Sequence, residues 1–282
     1  AGLTKYDWLI TSVQDKITET IKLLQEHGEI DANLTLRQVY NKYLAPEILN
    51  FNDNAVWDAI DKGNILDLFQ FDSLVGSQGI KKVQPRTLND LSNTNGIIRL
   101  MAQDGQELPL DKFVRYKNNI NLWYQEMRRY GLTEEEINWL AHHDAITDGI
   151  CESQEGLMSL VQEPRLGGNS LTFADKCRKG IAKKQGKLFE ECERTFYENI
   201  AANHCSPKLA HYVWDVLLKM QRGYSFNRSH CLAYSLVGLQ EMNLAYRFPI
   251  IYWDCACLIT NSGVNIADGN GTTDYAKMAR AL

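Results

Sequence analysis

The chain has 282 residues, enough for one large domain or two ordinary ones. It is 44% hydrophobic and 23% charged, a balance that excludes a disordered polypeptide. With 30 Lys and Arg against 35 Asp and Glu, the net charge of −5 excludes a generally basic nucleic-acid binder, so any anion site has to come from local clustering.

The chain opens on Ala1 rather than Met and no secretory signal leads it, which suggests a processed product or a piece of something longer. Gly2 to Ile10 looks strand-like near its start, and a lone strand needs a sheet completed by other segments. Ile10, Val13, Ile17, Ile21 and Leu24 recur every three or four residues and predict a helix that stops before Gly28. Asn52 or Asp53 can cap a short helix ending at Gly63. Ile65 to Phe71 is a weaker strand candidate, and Gly76 to Gly79 reads as a loop. Leu110 to Tyr130 predicts one long helix stopped by Gly131, and Thr133 with Glu136 predicts a capping box on the next. Gly167-Gly168 is loop-like, Ser170 or Thr172 caps a further helix, and Lys187 to Asn203 follows. Ser206-Pro207 opens a helix running to Gly223. The last strong helix begins near Ser229 and ends before Pro249. The longest apolar run, Phe248 to Thr260, is broken by Asp254 and is too short to span a bilayer, so no membrane is expected among the partners.

Seven cysteines, an odd number without a Cys-x-x-Cys, predict free thiols in a reducing compartment. Neither Cys255-x-Cys257 nor the adjacent His142 and His143 has the spacing of a structural zinc site.

Chemistry concentrates in three places. The stretch Lys176-Cys-Arg178-Lys179-Gly-Ile-Ala-Lys183-Lys184-Gln-Gly-Lys187 reverses the chain's sign with no acid inside it. Lys176, Lys179, Lys183 and Lys187 would share a helix face, where like charges repel unless a phosphate sits opposite or the face is simply solvated. The turn Gly223-Tyr224-Ser225-Phe226-Asn227-Arg228-Ser229-His230 precedes a helix. Ser229 could cap that helix, whose free N–H groups attract phosphate. His230 and Tyr234 lie one turn apart, as a wall for a sugar and base or as a satisfied histidine and a core tyrosine. Last, Lys5-Tyr6-Asp7 on a strand puts Lys5 and Asp7 on one side, with Asp7 either a metal ligand or a solvent-facing acid.

In this order the constellations resemble the alpha subunit of bacterial DNA polymerase III, the family C replicative polymerases. Lys5-Tyr6-Asp7-Trp8-Leu9 resembles the family's Lys-Phe-Asp-Phe-Leu strand, and Leu68 to Ser73 its Val-Phe-Gln-Phe-Glu-Ser. Ser153-Gln154-Glu155 with Met158 is similar to Tyr-Gln-Glu-Gln-x-Met. Ala174-Asp175-Lys176-Cys177-Arg178-Lys179 followed by Lys183-Lys184 resembles Ala-Asp-x-x-Arg-Arg and its Lys pair. Tyr224 to His230 with Tyr234 resembles Gly-Phe-Asn-Lys-Ser-His-x-x-x-Tyr, and Gln240 and Pro249 continue the match. Where the family has Tyr-Arg-Pro-Gly-Pro, this chain has Ile98-Arg99-Leu100-Met101, keeping the arginine alone; residues 110–150 also depart from it. Both departures point to a divergent branch, a viral one included.

The resemblance implies a mainly α fold, a helical fingers domain preceded by one orphan palm strand. It divides the chain into a palm end at 1–27, fingers at 28–260 and a linker or the start of the next region at 261–282. It implies part of a DNA-templated DNA polymerase working in the cytoplasm of a bacterium or a virus-infected bacterium. The partners would be primer-template DNA, deoxynucleoside triphosphates and the remaining polymerase segments. Asp7 would be a catalytic carboxylate ligating Mg²⁺, with Lys5 near the triphosphate. Arg99, Arg178, Lys179, Lys183 and Lys184 would neutralise phosphates of nucleotide or template. Asn227, Arg228, Ser229 and His230 would grip triphosphate or sugar, and Tyr234 would flank the nucleotide. The family's Asp-x-Asp pair is not found here, so the chain by itself is expected to be inactive. The competing reading is a non-catalytic all-helical module that binds nucleic acid or protein.

Overall fold

The computed structural model describes residues 12–63, 66–102, 105–182 and 186–262, and these are helical with no sheet among them. The expected palm strand, with Lys5 and Asp7, lies outside them, as do Lys183, Lys184 and most of the expected linker. The helices are α1 (Ser12–Glu26), α2 (Leu36–Val39), α3 (Asn54–Lys62), α4 (Leu74–Val83), α5 (Leu88–Ile97), α6 (Pro109–Asn118) and α7 (Asn121–Arg129). They continue with α8 (Glu134–Ala141), α9 (Gln154–Gln162), α10 (Leu171–Ala182), α11 (Gly186–Ala202), α12 (Pro207–His211), α13 (Arg228–Arg247) and α14 (Ile251–Asn261). No described helix is long and apolar enough to cross a membrane.

Local chemistry sets most boundaries. Asp53, rather than Asn52, caps α3 by accepting from the Ala55 N–H at 2.9 Å. Thr133 and Glu136 form the reciprocal capping box of α8, and Ser170 accepts from Phe173 N–H at the start of α10. Ser206 and Pro207 begin α12 as expected, but the helical path to Gln221 then loosens into a π segment, Tyr212–Leu218, and tightens into a 3₁₀ turn, Lys219–Gln221. The seven cysteines are free thiols.

Four local expectations are corrected. The single helix over 110–130 is two, because Asn119 turns extended (φ −152°, ψ 91°) and its Oδ1 accepts from Asn121 N–H, a local bond that competes with the helix. Residues 66–71 form turns rather than a strand, with Asp67 and Gln70 at φ 56° and 72°. Gly76 and Gly79 sit inside α4, not in a loop. A Cβ on Gly76 would meet Phe71 Cα at 2.6 Å, and one on Gly79 would meet Ile98 Cγ2 at 2.4 Å, so the glycines serve close packing. Asn227, not Ser229, caps α13: its Oδ1 accepts from His230 N–H at 3.1 Å.

The chain divides into two compact units, residues 1–77 with 234–282 and residues 78–233. In the first, the predicted stripe Val13, Ile17, Ile21 and Leu24 of α1 packs with Leu244 and Ala245 of α13 and Trp253 and Cys257 of α14. Inside that unit Lys16 and Asp67 form a buried ion pair at 2.8 Å, and Asn261 Nδ2 donates to the same carboxylate at 2.6 Å. Glu241 is buried nearby, its Oε2 accepting from Phe69 N–H at 2.9 Å, and burial pushes its carboxyl up.

The second unit has an aromatic core in which Phe196 stacks on Trp214 at 4.7 Å between ring centroids. A polar knot at its margin is built on Glu126, which accepts from Tyr116 at 2.5 Å and Tyr212 at 2.9 Å and pairs with Lys112 at 2.8 Å. Lys112 and the two hydroxyls hold the Glu126 carboxyl below its ordinary value against the opposing effect of burial.

Candidate nucleotide and phosphate site

Within the second unit, three segments far apart in sequence meet around Gln154, the first residue of α9. Its backbone N–H donates to Phe226 O at 3.0 Å and its Nε2 donates to Ser225 O at 2.6 Å, so α9 is stitched to the turn ahead of α13. Its Oε1 accepts from Arg178 Nη1 at 3.0 Å. One amide side chain thus ties the basic helix α10 to the 224–230 turn. Gln221, wholly buried, closes the other side of the turn by donating to Cys151 O at 2.8 Å and Ser153 O at 2.9 Å.

The turn itself is built around Phe226. The Arg99 guanidinium lies over its ring at 5.4 Å, the His230 ring is tilted against it at 4.8 Å, and Tyr224 meets it edge-on at 5.0 Å. Burial and the Arg99 charge lower the His230 pKa, which favours a neutral imidazole. Asn227, Arg228 and Ser229 are exposed. Arg228 N–H donates to Glu155 Oε2 at 2.8 Å, and its guanidinium reaches Asp144 O at 3.4 Å. Beneath them Glu152 is 5% exposed and burial pushes its carboxyl up to about 7, with Arg228 pulling the other way.

The described part of the basic stretch is less bare than the sequence suggests. Asp175, one position before it, accepts from Arg178 at 2.7 Å and pairs with Lys179 at 2.5 Å; the two cations lower its pKa. Lys176 pairs with Glu191 at 2.7 Å. Like-charge repulsion on this face is therefore relieved from within the chain.

Of the expected site residues, Arg99, Arg178, Asn227, Arg228 and His230 gather around Gln154 and Phe226. Lys179 stands beside Arg178 on α10, and Ser229 is in the first turn of α13 without the capping role. Tyr234 belongs to the other unit, where its ring packs on Phe69 at 4.8 Å. Lys5, Asp7, Lys183 and Lys184 lie outside the described residues. Among the described residues there is no group of three or more His, Cys, Asp or Glu that could hold a metal ion. The tying role of Gln154 and the buried Glu152 escaped the sequence reading. Only the Gln154-Glu155 pair in its motif signalled that something polar was needed there.

A family model described as the bacterial DNA polymerase III alpha subunit finger domain matches residues 14–204. The chain belongs to that family. It is 40% identical, over its whole length, to the probable DNA polymerase YorL of Bacillus subtilis and to a DNA-directed DNA polymerase of Bacillus phage SPbeta. It is 27% identical over 92% of its length to the DNA polymerase III subunit alpha of Rickettsia felis. This finger-domain chain spans only 22% of the first two relatives and 19% of the third.

Proposed function

We propose that this chain supplies the fingers of a DNA-templated DNA polymerase, binding phosphates of the incoming deoxynucleoside triphosphate, and of primer-template DNA, on the face that carries Arg178, Arg228 and His230. One observation carries the reading: Gln154 joins Arg178 to the Ser225–Phe226 backbone and so holds two cation-bearing segments in one register. Arg99 stacks on the same turn and adds its charge. A guanidinium fork suits phosphate oxygens, and a neutral His230 can still donate one hydrogen bond. Base choice would follow from pairing geometry.

The remaining assignments are proposals of the same reading. Asp7 contributes one Mg²⁺ ligand, with Lys5 beside it, and further carboxylates come from other polymerase segments, because two-metal transfer needs acids from several positions. Alone, the chain does not extend a primer. Lys183 and Lys184 add further positive charge for phosphate, and Tyr234 flanks the nucleotide. Residues 1–27 end the palm, 28–260 form the fingers and 261–282 lead onward; α1 of the first part shares a hydrophobic core with α14 of the second. The chain would act in the cytoplasm of a bacterium or a phage-infected one.

The test is titration of the 282-residue chain with inorganic tripolyphosphate and with primer-template DNA across a salt series. Arg178→Ala should weaken both and flatten the salt dependence, since each phosphate contact releases counterions. An unaltered affinity and slope would return this face to ordinary solvated charge.

A further inference from the structure

The head of α13 already holds one anionic side chain of its own chain. The first N–H groups of a helix lack intrahelical partners, and together they carry about half a positive charge. Asn227 satisfies one of them locally at His230, as an ordinary cap does. A second, at Arg228, is taken by Glu155, which reaches across from α9, 73 residues away in sequence. Glu155 is exposed, so its carboxylate can leave for water without breaking a packed core.

Glu155 is also one acid more than the fold needs there. Glu152, on the same segment and 5% exposed, leaves Oε2 with no hydrogen-bond partner among the described residues and feels the Arg228 charge. A Cβ built on Gly96 would meet Glu152 Cγ at 3.4 Å and Cys231 Sγ at 3.6 Å, so Glu152 is fixed beside the first turn of α13. Arg228 is thus faced by a fixed, buried carboxyl and by a movable, exposed carboxylate. Asp175 plays the movable part for Arg178 and Lys179 on α10.

We propose that Glu155 is a displaceable internal anion, whose carboxylate occupies at the head of α13 the place of a phosphate oxygen and must swing out before that phosphate binds. The inference rests on the triphosphate reading of the turn. Its consequence is a fixed affinity cost: every phosphate ligand that takes this place must first displace the tethered carboxylate, so each binds more weakly by the same factor. Glu155 then sets the affinity threshold of the site. Gln154, bonded on three sides, stays put while Glu155 moves.

The experiment compares the 282-residue chain with Glu155→Gln, which preserves an acceptor for the Arg228 N–H and removes the charge. Both are titrated with inorganic tripolyphosphate and with orthophosphate at one fixed salt, and Arg178→Ala is the control for the site. Glu155→Gln should bind tripolyphosphate about tenfold tighter, by loss of one charge-assisted competitor, and orthophosphate should gain by a similar factor, leaving the preference between them nearly unchanged. Glu155→Asp, whose carboxylate is one methylene short of the Arg228 N–H, should fall between the two and covers the case in which Glu155→Gln fails to fold. Equal or weaker tripolyphosphate binding by the folded variants, with Arg178→Ala still impaired, overturns the displaceable anion and leaves the phosphate site standing. Absence of tripolyphosphate binding in every protein, the parent included, overturns both.

Discussion

Lys16 and Arg178 are each held by an aspartate, yet their surroundings make them different objects. The Lys16 and Asp67 side chains are 4% and 2% exposed, while Arg178 and Asp175 are 25% and 37% exposed. Lys16 has its counterion fixed by Asn261 inside a hydrophobic unit, and nothing outside can reach it. Arg178 donates from Nε and Nη2 to Asp175 and from Nη1 to Gln154, yet these partners stand at the surface with it. Charge density alone therefore does not mark a binding site. The useful mark is a cation whose partner is itself exposed and can be exchanged.

This contrast can be broken most directly at the sealed pair. Asp67→Ala leaves a buried ammonium without its counterion and should cost about 3–5 kcal/mol of stability. Tripolyphosphate affinity of the surviving folded protein should stay the same. Chemical denaturation beside a binding titration checks both, and a loss under about 1 kcal/mol would mean that water reaches Lys16.

Next in size is the pH dependence of Glu152. Its folded pKa is about 7 against an ordinary 4.5, so the folded protein keeps a proton that the unfolded chain releases. That contribution is fully present below about 4.5 and is lost as pH rises through about 7, on the order of 3 kcal/mol in all. Glu241, also raised by burial, acts in the same direction, so the difference between the parent and Glu152→Gln isolates the Glu152 share. Stability curves from pH 4 to pH 9 that run parallel for the two proteins would show that folding does not raise the Glu152 pKa.

At the open pair the expected effect is on binding. Arg178→Ala should weaken tripolyphosphate by roughly tenfold to a hundredfold, the size of one charge-assisted contact of about 1.5–3 kcal/mol. Its melting temperature should move little. A large drop in melting temperature with unchanged affinity would make Arg178 another structural cation, of the Lys16 kind.

The smallest effect is expected at Tyr234. Half-buried against Phe69, its ring should contribute roughly 1 kcal/mol through the aromatic pair. In the complete polymerase Tyr234→Phe should preserve that stability and leave nucleotide discrimination unchanged, while Tyr234→Ala should alter discrimination. Steady-state kinetics with correct and incorrect nucleotides beside thermal melts separate these; unchanged discrimination in Tyr234→Ala would confine the residue to packing.

What the sequence made legible was local. Asp53, Thr133 with Glu136, Ser170 and Ser206-Pro207 act over two or three residues, and their capping chemistry predicted the helix starts correctly. Asn119 was illegible because its apolar neighbours continue the helical period through it, and only its side-chain bond to Asn121 tips the balance. Gly76 and Gly79 looked like loop residues because the crowding that requires them comes from Phe71 and Ile98 in the folded chain. The cations of the candidate site could be read from composition, and Asp175 lies only three and four residues ahead of Arg178 and Lys179, whereas Gln154 as their link could not be read. Gln154 meets its turn 71 residues downstream, and no window of sequence contains both. The family resemblance rested on motif order, which is why it identified the right polymerase family where local reading had left a helical module open.

The π segment Tyr212–Leu218 has a consequence for the turn that follows it. A helix advances about 100° per residue, so adding or removing one residue changes the compass bearing of everything downstream. The wider winding of a π turn absorbs one residue without lengthening the path much. Gln221 comes immediately after, and its amide must face Cys151 and Ser153 to close the turn. The stretch from Ser206 to Gln221 therefore works as a dial as much as a spacer: the same residues wound as a regular α-helix would turn Gln221 by about 100°, loosening a site that residues 212–218 never touch.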